Sequence, residues 1–120
     1  MFDKSFRAGE DLKANRFATL QYGETAIMAD DETTGLIGAT GELDVSEGGV
    51  VDLRFIGEAE VEAGGAISAS KAITADSQGR AITAGAGDNA VGFALETSTG
   101  AGQIIRVLML PCASVADETT

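Results

Sequence analysis

The stretch "AITADSQGRAITA" (Ala72–Ala84) decides the fold class. Two copies of Ala-Ile-Thr-Ala, Ala72–Ala75 and Ala81–Ala84, flank Asp76-Ser77-Gln78-Gly79. An Asp opens a type I turn by bonding the backbone that follows it, and Gly79 supplies the left-handed residue that closes a bulged hairpin loop. The spacing predicts a β-hairpin. The same grammar runs through Glu58–Leu110, where short runs of Ile, Val and Ala alternate with turns of Gly, Asp, Ser and Asn. Strands of four to eight residues bounded by such turns are the mark of an all-β domain.

Working outward, "AVGFALE" (Ala90–Glu96) and "QIIRVLML" (Gln103–Leu110) read as core strands, with Pro111 ending the second. Upstream, "VVDLRFI" (Val50–Ile56) alternates cleanly: Val51, Leu53 and Phe55 face a core while Asp52 and Arg54 face out. Gly57 punctuates, and a second run follows in which Glu58, Glu60 and Glu62 share one face and Ala59, Val61 and Ala63 the other. Three like charges in a row need solvent or a facing cation, and they discourage edge-to-edge pairing. "RFATLQY" (Arg16–Tyr22), "TAIMA" (Thr25–Ala29) and "TGLIGA" (Thr34–Ala39) are three earlier strands. Gly35 and Gly38 suggest bulges or close backbone approach. Glu10–Asn15 reads as a short helical turn and Thr40–Gly49 as a polar loop. Ala-Ile-Ser-Ala at Ala66–Ala69 nearly repeats the hairpin motif, but the successive spacings of six and nine residues fit no solenoid.

The chain is 120 residues long, which fits one domain. Its expected parts are an arm (1–9), a β-rich domain (10–112) and a disordered acidic tail (113–120). That domain is a small β-barrel or sandwich with at most one or two helical turns. Apolar residues make up 44%, yet aromatics are few, so the core is thin and aliphatic and suits completion by partner subunits. The net charge is −11. Nucleic-acid affinity comes mostly from Lys and Arg on phosphates, so no nucleic acid and no anionic membrane is expected as a partner. Residues 1–20 hold four of the eight basic side chains and only three of the nineteen acids. That asymmetry marks the arm as a docking element. Phe2 and Phe6 add two aromatics there, and Phe2, Lys4, Phe6 and Arg7 are the candidate contact residues. Removing residues 1–9 is expected to weaken binding and leave the domain folded. No apolar run approaches the roughly 20 residues that span a bilayer, and Met1–Asp11 has no apolar core of a signal peptide.

Candidate catalytic and metal sites are sparse. The chain has no histidine, which removes His-based triads, His-zinc sites and the usual neutral-pH acid–base group. Cys112 is the lone cysteine and reads as a small packed hydrophobe; no intrachain disulfide can form. Asp30-Asp31-Glu32 and Asp88-Asn89 carry oxygen ligands but match no calcium-loop spacing, and turn chemistry explains them. The Gly-rich stretches join strands to strands, so they are not phosphate cradles. Lys71, between two β runs, faintly resembles the lysine at the hairpin tip of lipoyl and biotinyl carrier domains. A carrier or small-ligand module is therefore the alternative reading.

Four pieces taken in order resemble the capsid cement, or head decoration, proteins of tailed bacteriophages. "AGEDL" (Ala8–Leu12) followed by "RFATL" (Arg16–Leu20) is similar to the family's lead-in to its first strand. "VEAGGAISASKAITADSQGRAITA" (Val61–Ala84) resembles its central stretch. "GDNAVGFALETSTGAGQIIRVLM" (Gly87–Met109) resembles its closing pattern, and "GLIGAT" (Gly35–Thr40) fits more loosely. The chain departs from the family near Gly35, where the apolar run is short and the following loop long. The resemblance implies a β-rich trimer made in the host cytoplasm and bound to the major capsid protein outside the expanded head. There it would clamp capsomers against the pressure of packaged DNA, with no catalysis and no cofactor.

Overall fold

The computed structural model describes residues 2–21, 24–30, 37–85 and 90–110. Among them there is no helix; the chain is all-β, with a closed five-stranded barrel and further strands. In order these are β1 (Phe2–Ala8), β2 (Phe17–Gln21), β3 (Thr25–Met28), β4 (Ile37–Ala39), β5 (Val50–Glu62), β6 (Ala72–Ala75), β7 (Ala81–Thr83), β8 (Gly92–Ala94) and β9 (Ile104–Met109). Glu10–Asn15, expected as a helical turn, is irregular. Its backbone is spent instead on the loop that follows β4, through Leu12–Val45 bonds of 2.7 and 2.9 Å and Asn15 donating to Gly41 at 2.9 Å.

The strand order is β1-β3-β2-β4-β5-β9-β8-β6-β7, and β1 also pairs with β5. That extra pairing closes the first five strands into the barrel. β5 then leaves the barrel and starts the second sheet, β5-β9-β8-β6-β7. The second sheet also curls back on itself: Gly64 donates to the Ala81 carbonyl at 2.7 Å, and Ala63 bridges Ala81 in parallel.

β5 differs from the expectation of two strands punctuated by Gly57. It is one strand of 13 residues. Gly57 takes φ +116°, a value that L side chains rarely adopt, so the chain bends there without breaking. The alternation passes through unbroken. Val51, Leu53 and Phe55 fill the barrel core; Ala59, Val61 and Ala63 fill a second core under the other sheet.

The two cores are welded by the strands of the first barrel. Phe17 and Ala18 are both fully buried, Phe17 in the second core and Ala18 in the first. Ala29, Ile37 and Ala39 likewise turn outward from the barrel into the second core. Gly38 lets β4 lie against β5: a Cβ there would sit 3.0 Å from the Phe55 ring. A strand buried on both faces loses its alternation, and β4 is buried at all of its positions.

The predicted hairpin forms as β6–β7, with Ile73 opposite Thr83, Thr74 opposite Ile82 and Ala75 opposite Ala81. Asp76 Oδ1 accepts from the backbone of Gln78 and of Arg80, both at 2.8 Å, and Oδ2 from Arg80 Nε at 2.9 Å. Gly79 takes φ +76°. Its carbonyl accepts from Phe17 N at 2.7 Å, so the hairpin tip plugs into the first barrel. Arg16 strengthens the joint by donating to the Gln78 carbonyl at 3.0 Å and to Glu62 at 3.1 Å.

Candidate functional site

Residues 1–9, read from sequence as an arm, form β1 from Phe2 onward and belong to the barrel. Phe6 and Ala8 point inward: Ala8 is buried, and Phe6 packs edge-to-face on Phe55, ring centroids 6.0 Å apart. Lys4 is exposed. Arg7 is exposed too, and donates from Nη1 to the Gly48 carbonyl at 2.9 Å. The Phe2 backbone pairs with Ile56; its side chain lies outside the described residues. The structure therefore leaves Lys4 and Arg7 available on the surface, while Phe6 anchors the strand that carries them. Removing residues 1–9, which the sequence alone expects to leave the domain folded, would take out a strand that closes the barrel.

Between the two halves lies a groove of about 510 Å³. Asp3, Asp52, Glu58 and Glu60 line it around a single cation, Arg54. Arg54 binds Asp3 with two parallel bonds of 2.8 and 2.9 Å and reaches the Glu58 carbonyl at 2.7 Å. The Arg54 hydrogen bond holds the Asp3 carboxyl below the usual carboxylate range. Ser5 donates to Asp52 on the same outer face. Among the described residues no three acids gather closely enough to hold a metal ion. Asp30 is exposed; Asp31, Glu32, Asp88, Asn89, Cys112 and the tail lie outside the described residues.

Lys71 is exposed in a tight turn, its N–H donating to the Ser68 carbonyl at 3.3 Å. The runs on either side do not pair with one another. Ile67 bridges Ser98, and Ala72 pairs with Phe93. A carrier lysine sits at the tip of two mutually paired strands, so the turn here lacks that support.

The outer face of the second sheet was not singled out from sequence. The apolar runs of β8 and β9 predict core strands. In the fold their inward positions on β8 are small, Gly92 and Ala94, and their outward positions are large. Phe93 on β8, Leu95 just after it and Ile104 on β9 stay 38%, 42% and 47% exposed. Gly92 cannot be larger, because a Cβ there would collide with the Leu108 carbonyl oxygen. The available signal was the G-F-A-L order itself, in which small and large residues alternate.

The β1 surface, the acidic groove and this apolar face are the exposed features that the described residues present. No helix is long and apolar enough to cross a membrane, among the described residues. No curated protein matches the chain. Among solved structures, the crystal structure of the N base of the head fiber gp8.5 of bacteriophage phi29 superposes with a TM-score of 0.70 at 17% identity, covering 93% of this chain and 96% of that one. At that identity the likeness speaks to fold. The model of the phage cement protein family matches residues 3–109, which include both cores and all but one residue of the strands. The chain belongs to the phage cement protein family, a family of capsid-associated structural proteins.

Proposed function

We propose that this protein binds the outside of the phage head as a trimer, against the major capsid protein, and stabilises the shell against the pressure of packaged DNA. The observation that carries the reading is the family match across both halves of the molecule. The chemistry supports it. A binder that recognises the assembled lattice and not the free subunit stabilises that lattice by mass action. Attachment at several points lets modest contacts sum to a durable hold. A net charge of −11 suits an outer surface and keeps the protein off the genome. The reading needs no catalytic residue and no cofactor.

Phe2, Lys4, Phe6 and Arg7 remain the proposed capsid contact, with the direct part assigned to Lys4 and Arg7. Phe6 acts from behind by fixing the strand. The test is co-sedimentation with expanded, undecorated heads, with free oligomer mass measured alongside. Saturable binding near three copies per three-fold site, and a trimer in solution, is the expected result. The double variant Lys4→Glu/Arg7→Glu should bind about tenfold more weakly at low salt, since rim charges act mainly through salt-sensitive steering. A protein that stays monomeric and binds no heads would end the reading.

A further inference from the structure

The geometry points to the outer face of the second sheet as a docking surface for a head-protein segment that presents apolar side chains flanked by lysine or arginine. The inference rests on the head-binding reading above and adds the face used and the chemistry of its partner.

The face is built by register. Glu58 of β5, Leu108 of β9, Phe93 of β8 and Ala72 of β6 stand in one row across four strands. Leu95 follows Phe93 opposite Arg106, and Ile104 lies beyond Arg106 on β9, opposite Glu62; both stay solvent-exposed. Phe93, Leu95 and Ile104 share the exposed face of two adjacent strands around Arg106, and apolar side chains gathered on one exposed face mark an interaction site more often than scattered ones do. Phe93 is the natural anchor, since aromatics dominate interface energetics.

The border of the patch specifies the partner. Glu58, Glu60 and Glu62 line one side along β5, and Glu96 follows β8. Arg106 is held between Glu58 and Glu96, each at 3.6 Å, and Arg16 takes Glu62 at 3.1 Å. Glu60 pairs with no cation among the described residues. A second copy of this chain would bring the same excess of acid, net −11. Charge complementarity therefore favours a basic-flanked segment of a different protein over self-association.

The test uses the full chain and expanded, undecorated heads. Three proteins are compared: wild type, Phe93→Ser/Leu95→Ser and Glu60→Lys. Melting temperature and oligomer mass are measured for each. All three should fold, since the substituted side chains are exposed. Expected is a loss of about tenfold or more in head affinity for the apolar pair, the scale of a lost interface anchor. Glu60→Lys should lose affinity at low salt and approach wild type at high salt, as screened charges do. Wild-type affinity in both variants would overturn the inference and leave head binding standing. Reduced oligomer mass with undiminished head affinity would overturn it too, by making the face a contact between copies. If wild type itself binds no heads, the head-binding reading falls, and this inference with it.

Discussion

At the scale of single residues, the hairpin tip concentrates the constraints. Gly79 combines a left-handed backbone with a lack of space: a Cβ would meet the Phe17 carbonyl oxygen and the Met28 methyl, both at 2.8 Å. Gly79→Ala should cost about 2 kcal/mol or more, with left-handed strain of about 1–2 kcal/mol to which the clash adds, and differential scanning calorimetry would read it as a lower Tm. Asp76 satisfies two backbone donors and the Arg80 guanidinium at once. Asp76→Ala leaves them unpartnered in a half-buried turn, at about 1–3 kcal/mol; urea melts check it, and Asp76→Asn should lose less. Asp3 gives a pH signature. Its carboxyl is lowered by Arg54, so the stabilisation it contributes is present above the ordinary carboxylate pKa and is lost as pH falls through the lowered one. The pair is largely exposed and screened, so its worth is about 1 kcal/mol or less. The Tm gap between wild type and Asp3→Asn should thus be small near pH 6 and close below about pH 4, the ordinary Asp range.

At the scale of elements, β1 is the closing stave of the barrel. It pairs in parallel with β3 and antiparallel with β5, and brings Phe6 and Ala8 into the core. Deleting residues 2–8 should abolish the β-type circular dichroism spectrum, because an opened barrel exposes two strand edges and half a core. A folded deletion product would contradict this role. Phe6→Ala is the milder probe and should cost about 2–4 kcal/mol, below or near the range for a fully buried Phe because Phe6 is only partly buried. β5 serves two cores from one face, which explains its length. The notch at Gly57 turns it from one sheet into the next, where a break would have cost the continuity of both.

At the scale of the whole molecule, the two halves are predicted to unfold together. They share β5, and Phe17, Ala29, Ile37 and Ala39 of the barrel are core residues of the other half. The Gly79–Phe17 and Arg16–Glu62 bonds cross the same joint. Heat or denaturant should give one transition with coincident near- and far-UV signals, the signature of two-state behaviour. Two separated transitions would mean that the halves are independent. A single rigid body suits a protein proposed to hold neighbouring capsomers, since a hinge would let them part.

The sequence by itself determined the all-β class, the β6–β7 hairpin with its Asp76 and Gly79, the inward set Val51, Leu53 and Phe55, and the family. Each of these is written locally: turn residues fix their own geometry, and period-two alternation reports a strand with one wet face. Only the tertiary structure decided the rest. β1 looked like an arm because its charged positions mask the two inward side chains, and nothing local says that Phe2–Ala8 meets Val50–Ile56. β2 and β4 read as strands, but nothing local says that they stand between two cores. Phe93, Leu95 and Ile104 passed for core because apolar character does not say which side of a sheet is covered. That depends on which surfaces other strands, or other molecules, come to occupy.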